Sequence, residues 1–200
     1  MRHRETPAEG RARRGAVEDP ATVLDAAARF LEVRPRSIDE VRRRLRAAGY
    51  REELVEGAID RLVDLGILDD EAFARSWVES RDRARPRGAR ALRDELRRKG
   101  VARADVEAAL AARETGAQGG DAGGSAYAAD EDRRASSRTS DDEAAQRLLA
   151  RRGAAVLREP DPRKRRAKAY ALLARNGFDP DVCATASTTW LAAEVRDAEG

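Results

Sequence analysis

The 26-residue block from Arg34 to Ile59 returns, without a gap, as the block from Arg85 to Leu110, 51 positions further on. Pro35 pairs with Pro86, Leu45 with Leu96, Gly49 with Gly100, Val55 with Val106 and Ile59 with Leu110. A weaker third copy begins at Asp161, with Pro162, Leu173, Gly177 and Cys183 in corresponding places and one extra residue before the glycine. Self-similarity at such a period is the mark of a repeat array, in which each unit is one small motif and stacking on neighbours completes its core. A chain built this way presents an extended surface rather than one pocket.

Each copy reads as three short helices. Val23, Ala27, Phe30 and Leu31 recur at helical spacing in the first. Ser37 with Glu40 three residues on is a capping box for a second helix carrying Ile38, Val41 and Leu45. Gly49 is a left-handed stop. A third helix, about Glu52–Leu65, turns Val55, Ile59 and Leu62 inward and ends at Gly66. Asp69–Asp70 opens the second copy, where Phe73, Trp77 and Val78, then Leu92 and Leu96, then Val106 and Leu110 form the stripes, and Gly100 ends its middle helix. In the third, Leu148, Leu149 and Val156 precede Leu172 and Leu173, and Val182, Ala186 and Trp190 share the last face. Asp161 before Pro162 predicts the cap of the middle helix there, and Gly177 its end.

Two segments lack such a period. Residues 1–19 are rich in Arg, Glu, Gly and Pro and read as a disordered tail. Residues 114–142 hold five glycines, no branched aliphatic residue, and seven acids against three arginines, the composition of a flexible acidic linker. The expected organisation is therefore a tail at 1–19, repeats at 20–68, 69–113 and 143–197, and a linker at 114–142.

Charged residues make up 38% of the chain and aromatic ones 4%, which suits several small helical cores better than one large one. The one histidine, His3, lies in the polar start, and the one cysteine, Cys183, lies on an apolar stripe. No Ser-His-Asp set, Cys-His pair or cysteine metal site can be assembled, and the glycine-rich run GAQGGDAGG precedes no GK[ST]. Acid pairs such as Asp69–Asp70 and Glu52–Glu53 sit at helix starts, where they offset the dipole. The reading is a chain that is not an enzyme, needs no cofactor or metal, and works in a reducing cytoplasm. No apolar run is long enough to span a membrane and no apolar leader opens the chain.

Net charge is only +3, but charge is sorted locally, and 37 of the 40 basic residues are arginine. Arg42, Arg43, Arg44 and Arg46 cluster on the middle helix of the first repeat. Between Arg81 and Lys99 lie Arg81, Arg83, Arg85, Arg87, Arg90, Arg93, Arg97, Arg98 and Lys99 against three acids. Arg163, Lys164, Arg165, Arg166 and Lys168 mark the third. Recurrence at one repeat position predicts that stacked units line these side chains into a stripe suited to phosphates or an acidic protein groove. The expected binding residues are Arg42, Arg43, Arg46, Arg81, Arg85, Arg87, Arg90, Arg93, Arg97, Lys99, Arg163, Lys164, Arg166 and Lys168. A stand-alone nucleic-acid-binding helical module is the alternative that these clusters alone would support.

The segment Leu68–Val101 resembles the RecX family of recombinase regulators. The resemblance is carried by the aspartates before Phe73, the run from Trp77 to Arg81, the pair Arg87–Gly88, Leu92, Leu96 and the ending Lys99–Gly100–Val101. SIDEVRRRLRAAGY (37–50) and LVDLGILDD (62–70) are similar to that family too, so the likeness covers Ala21–Leu110 well and the third repeat more loosely. The 29-residue segment Glu114–Asp142 is long for the family, and Ala169 stands where Val41 and Leu92 stand. The resemblance implies an all-α fold, a tandem array of three three-helix repeats, elongated and curved. It implies a protein that lies along the groove of the RecA–DNA filament and modulates it, mostly by inhibiting ATP hydrolysis, strand exchange and co-protease action; the chain is expected to be a monomer. That would place it in DNA repair, homologous recombination and the SOS response, with RecA, and single- or double-stranded DNA, as partners.

Overall fold

The computed structural model describes residues 6–117 and 129–199, and all regular structure among them is helical. The chain divides into two compact units. One comprises Met1–Phe73 with Arg97–Asp105, the other Ala74–Leu96 with Val106–Gly200. The division runs through the second repeat.

The first unit holds α1 (Pro7–Gly15), α2 (Pro20–Leu31), α3 (Ile38–Ala48) and α4 (Glu52–Asp64). The capping box expected at the start of α3 is present: the Glu40 amide donates to Ser37 Oγ at 3.2 Å and the Ser37 amide to Glu40 Oε2 at 3.3 Å. The expected stripes meet in one core of Val23, Ala27, Val41, Leu45, Val55, Ile59 and Leu62, with Leu68 added and Phe30, Leu31 and Ile38 at its margin. Full burial of each Val, Leu or Ile side chain contributes roughly 1.5–3 kcal/mol.

Part of the irregular tail expected at 1–19 is ordered. Thr6 and Glu9 form a second capping box around Pro7, and α1 follows. Its Arg14 Nε donates to the Ala48 carbonyl at 2.5 Å, so a cation meets the C-terminal end of α3, where the helix dipole favours it.

The second unit takes most of α5 (Asp70–Ala84), α6 (Ala89–Arg98) and α7 (Arg103–Ala117), followed by α8 (Ala129–Arg152), α9 (Ala154–Leu157), α10 (Pro162–Arg175) and α11 (Pro180–Glu199). Leu148, Leu149, Val156, Ala169, Leu173, Phe178, Val182, Cys183, Ala186 and Trp190 form its third-repeat core. Asp161 caps α10 as expected, its carboxylate accepting from the amides of Arg163 and Lys164. The expected linker is helical at both flanks, since α7 reaches Ala117 and α8 begins at Ala129, and its centre, 118–128, lies outside the described residues.

Gly49, Gly66, Gly100 and Gly177 all have positive φ, as the expected helix stops require.

Candidate partner-binding surface and its joints

Two joints built on the same plan hold repeat to repeat. In the first unit, Ser37 Oγ donates to the Lys99 carbonyl at 2.5 Å, and the Ile38 amide donates to Asp70 Oδ1 at 2.9 Å. In the second, at the matching positions, the Gly88 amide donates to the Asn176 carbonyl at 3.1 Å, and the Ala89 amide donates to the Asp141 carboxylate at 3.0 and 3.2 Å. In each joint an aspartate satisfies an orphan amide at the start of the previous repeat's middle helix, where the dipole also favours an anion.

The backbones approach closely at both places. A Cβ at Gly100 would lie 2.3 Å from that of Asp39. One at Gly88 would lie 2.2 Å from the Gly177 carbonyl oxygen, and one at Gly177 2.4 Å from Ala91 Cβ. Only glycine leaves room, and at Gly100 and Gly177 the positive φ demands it as well.

Around the first joint, Lys99 Nζ donates to Glu40 Oε1 at 3.1 Å. Burial pushes the Glu40 carboxyl up, but bonds from Lys99, the Ser37 amide and Arg34 outweigh it and hold the group below its ordinary value. Asp70 goes the other way: burial raises it, the Ile38 amide opposes, and the nearby charges of Asp105, Asp39 and Asp69 add to the rise. Of the pair expected simply to start α5, Asp69 does so, accepting from the Ala72 amide at 2.9 Å, while Asp70 serves the joint.

At the second joint lies a buried charge cluster. Arg113 donates twice to Asp82, at 2.8 and 2.9 Å, to Asp141 at 2.7 Å and to the Arg87 carbonyl at 3.2 Å. Its side chain is 7% exposed and that of Asp141 5%. Burial works against the Arg113 charge, but the two carboxylates outweigh it and keep the guanidinium firmly charged.

The expected binding residues fall into two groups. In the first, cations are already occupied. Arg42 grips Glu56 with two parallel bonds, Nε at 2.9 Å and Nη2 at 3.0 Å, and pulls that carboxyl below its ordinary value. Arg93 grips Glu107 the same way at 2.9 and 3.1 Å. Arg43 pairs with Asp39, Arg46 with Glu52 and Glu56, Arg81 with Glu95, Lys99 with Glu40 and Lys168 with Glu159. Arg87 donates to Asn176 Oδ1 at 3.2 Å and lies 3.7 Å from Glu95. Each exposed pair contributes about 1 kcal/mol or less. In the second group, Arg85, Arg90, Arg163, Lys164 and Arg166 are exposed with no carboxylate at ion-pair distance among the described residues. Arg97 is exposed and makes contacts of its own.

The aromatic rings divide likewise. Phe73 and Phe178 are buried. Trp77 is half-buried, with its Nε1–H donating to Glu95 at 2.9 Å and the Arg81 guanidinium 4.2 Å over its ring. Phe30 is covered by Arg36 at 4.1 Å. Sequence reasoning passed over one surface feature: Val63, Leu65 and Ile67, at the end of α4, are 42–56% exposed within five residues.

No helix among the described residues is long and apolar enough to cross a membrane, and no group of three or more metal-binding side chains occurs among them.

Three family descriptions match the chain in order: "RecX, first three-helix domain" over residues 24–62, "RecX, second three-helix domain" over 69–110 and "RecX, third three-helix domain" over 140–186. The chain belongs to the RecX family. The expected three-repeat all-α fold, and the resemblance read from Leu68–Val101, both stand.

The Regulatory protein RecX of Mycobacterium sp. strain KMS is 44% identical over 90 residues, 45% of this chain and 49% of that protein. The Regulatory protein RecX of Prosthecochloris aestuarii is 39% identical over 100 residues, covering 50% of this chain and 66% of the relative. The matched stretch thus spans about half the length of the mycobacterial RecX relative. Among solved structures, RecX from Lactobacillus salivarius superposes with a TM-score of 0.66 at 20% identity, over 86% of this chain and 97% of that one. A second, a regulatory protein RecX, superposes with a TM-score of 0.61 at 21% identity, over 91% and 78%. At those identities the likeness speaks for the fold.

Proposed function

We propose that this RecX-family chain is a regulator of the RecA recombinase. It binds the RecA–DNA filament and lowers ATP hydrolysis, strand exchange and co-protease action, by occupancy rather than by chemistry of its own. It acts as a monomer in the cytoplasm. The observation that carries this reading is the ordered presence of all three RecX domains.

The side chains support a spread-out contact. Arg85, Arg90, Arg163, Lys164 and Arg166 are available to a partner without giving up a carboxylate. Arg42, Arg43, Arg46, Arg81, Arg93, Lys99 and Lys168 each have to exchange an existing ion pair, which reduces what they add. Arg87 and Arg97 contribute beside them. Exposed Val63, Leu65 and Ile67 suit a protein partner, since clustered exposed apolar side chains mark contact sites. Several weak contacts along one chain add up through effective concentration.

A parallel titration against RecA filaments and against naked DNA tests the reading. Tight filament binding with weak DNA binding supports it. Equal affinity for both, falling steeply with salt, favours the alternative of a nucleic-acid-binding module with no recombinase partner.

A further inference from the structure

In the second unit, the cleft between the loop after α5 and the end of α8 is lined by Arg85, Arg87, Arg151, Arg152 and Asn176, and no acidic side chain lines it. Its volume is about 280 Å³, and Pro86 and Leu148 provide apolar walls. A larger cleft of about 420 Å³ contrasts with it: there Arg75, Arg83, Arg113 and Arg147 face Glu79, Asp82 and Glu143. Charge in that one is largely balanced.

Two of the four guanidinia in the smaller cleft are held in place. Arg151 Nη1 donates to the Arg83 carbonyl at 2.6 Å, and Arg87 Nη1 to Asn176 Oδ1 at 3.2 Å. Arg85 and Arg152 are exposed with no carboxylate at ion-pair distance among the described residues. The arrangement exceeds what the helix ends there require. The ends of α5 and α8 each carry a partial negative charge of about half a unit, so together they offset roughly one of the four positive charges. Glu95, the nearest acid to Arg87, is already shared with Arg81 and the Trp77 ring nitrogen. With Glu95 shared between Arg81 and Arg87, roughly two to three uncompensated charges remain.

We infer that this cleft binds phosphate groups. Guanidinium forks suit phosphate and carboxylate alike, and bond either in a bidentate way. Space separates the two. A chain of phosphates brings one charge per group in little volume, whereas successive carboxylates arrive on side-chain stems and bring less charge into a cleft of 280 Å³. No aromatic ring lines it, so a nucleic-acid strand would be held by its backbone, independent of base sequence. Arg151 and Arg152 extend the binding surface beyond the residues that repeat position alone singles out. The site depends on the second unit's geometry, not on the recombinase reading, and its test contains no RecA, so each stands or falls separately.

The test compares the full chain with Arg85→Ala/Arg152→Ala and with a charge-matched control, Arg61→Ala/Arg103→Ala. Probes are a fluorescein-labelled single strand by anisotropy, inorganic pyrophosphate by calorimetry, and poly-glutamate. Circular dichroism verifies that all variants fold. Removing two phosphate contacts should lower the log–log salt slope of single-strand binding by about 1.4 in the cleft variant alone. Loss of pyrophosphate binding in the same variant, with the strand unbound throughout, also supports the site and assigns it to free phosphate. Equal losses in both double variants, binding of poly-glutamate as the sole binding that the cleft variant loses, or no phosphate probe bound by the parent chain at low salt would each overturn the inference.

Discussion

Arg113 Nη1 donates to Asp141 Oδ1 at 2.7 Å, and neither side chain meets much solvent. The same Asp141 accepts the first amide of α6, so one carboxylate neutralises a buried cation and closes a repeat joint. Replacing Asp141 by Ala leaves Arg113 with the Asp82 carboxylate and the Arg87 carbonyl. Breaking a buried pair typically costs about 3–5 kcal/mol, and the surviving Asp82 pair places this one near 3. The midpoint of urea unfolding should fall accordingly, and an unchanged midpoint would show that these two partners suffice.

Asp70 holds the matching place in the first unit, but no arginine among the described residues pairs with it, and burial raises its pKa. A carboxyl with a raised folded pKa binds more protons folded than unfolded, so stability falls as pH rises through the interval between the two values. Asp70→Asn removes that penalty and keeps an acceptor for the Ile38 amide. At neutral pH the variant should melt at or above the parent's temperature. The advantage should shrink as pH falls through the ordinary aspartate range near 4. A variant that melts well below the parent at neutral pH would show that the charge itself holds the joint.

Gly88 and Gly57 give opposite expectations for one substitution. A Cβ at Gly88 meets the Gly177–Phe178 backbone at 2.2–2.5 Å, which cannot yield without opening the joint. Gly88→Ala should destabilise by about 2 kcal/mol or more, as overpacking against fixed atoms does. Gly57 lies inside α4 with nothing within 4 Å of its added carbon. There alanine should stabilise by roughly 0.5–1 kcal/mol. Thermal melts of the two variants measure both.

Cys183 is fully buried, and burial, with Asp179 adding to it, pushes its thiol up to about 11. Thiolate is the reactive form, so the native chain should resist a thiol-specific reagent at neutral pH. Labelling in urea should follow the unfolding of the third-repeat core. Fast labelling without denaturant would contradict the burial of Cys183.

What the sequence made legible was what depends on near neighbours. Ser37 and Glu40 announce a cap because both partners lie within one turn. Val41 and Leu45, or Val182, Ala186 and Trp190, announce a buried face because helical spacing alone aligns them. Helix α1 was legible by the same rule, as Thr6-Pro7-x-Glu9, but the missing apolar stripe hid it. Asp141 could not be read. Its partners Ala89 and Arg113 are 52 and 28 residues away, and its neighbours have linker composition. The carboxylates gripping Arg42 and Arg93 lie 14 residues further on, at positions related by the same repeat offset. Reading the basic clusters by sign alone passed over them. Trp77 has helical core spacing, yet its ring nitrogen and Arg81 draw it to the surface.

The most direct measurement of the regulatory role is the rate of single-strand-dependent ATP hydrolysis by RecA as the purified chain is added. The account predicts a rate that falls well before the chain reaches one copy per RecA protomer, because the proposed contacts spread along the filament would let one chain span more than one protomer. A rate that stays constant at saturating chain would contradict it.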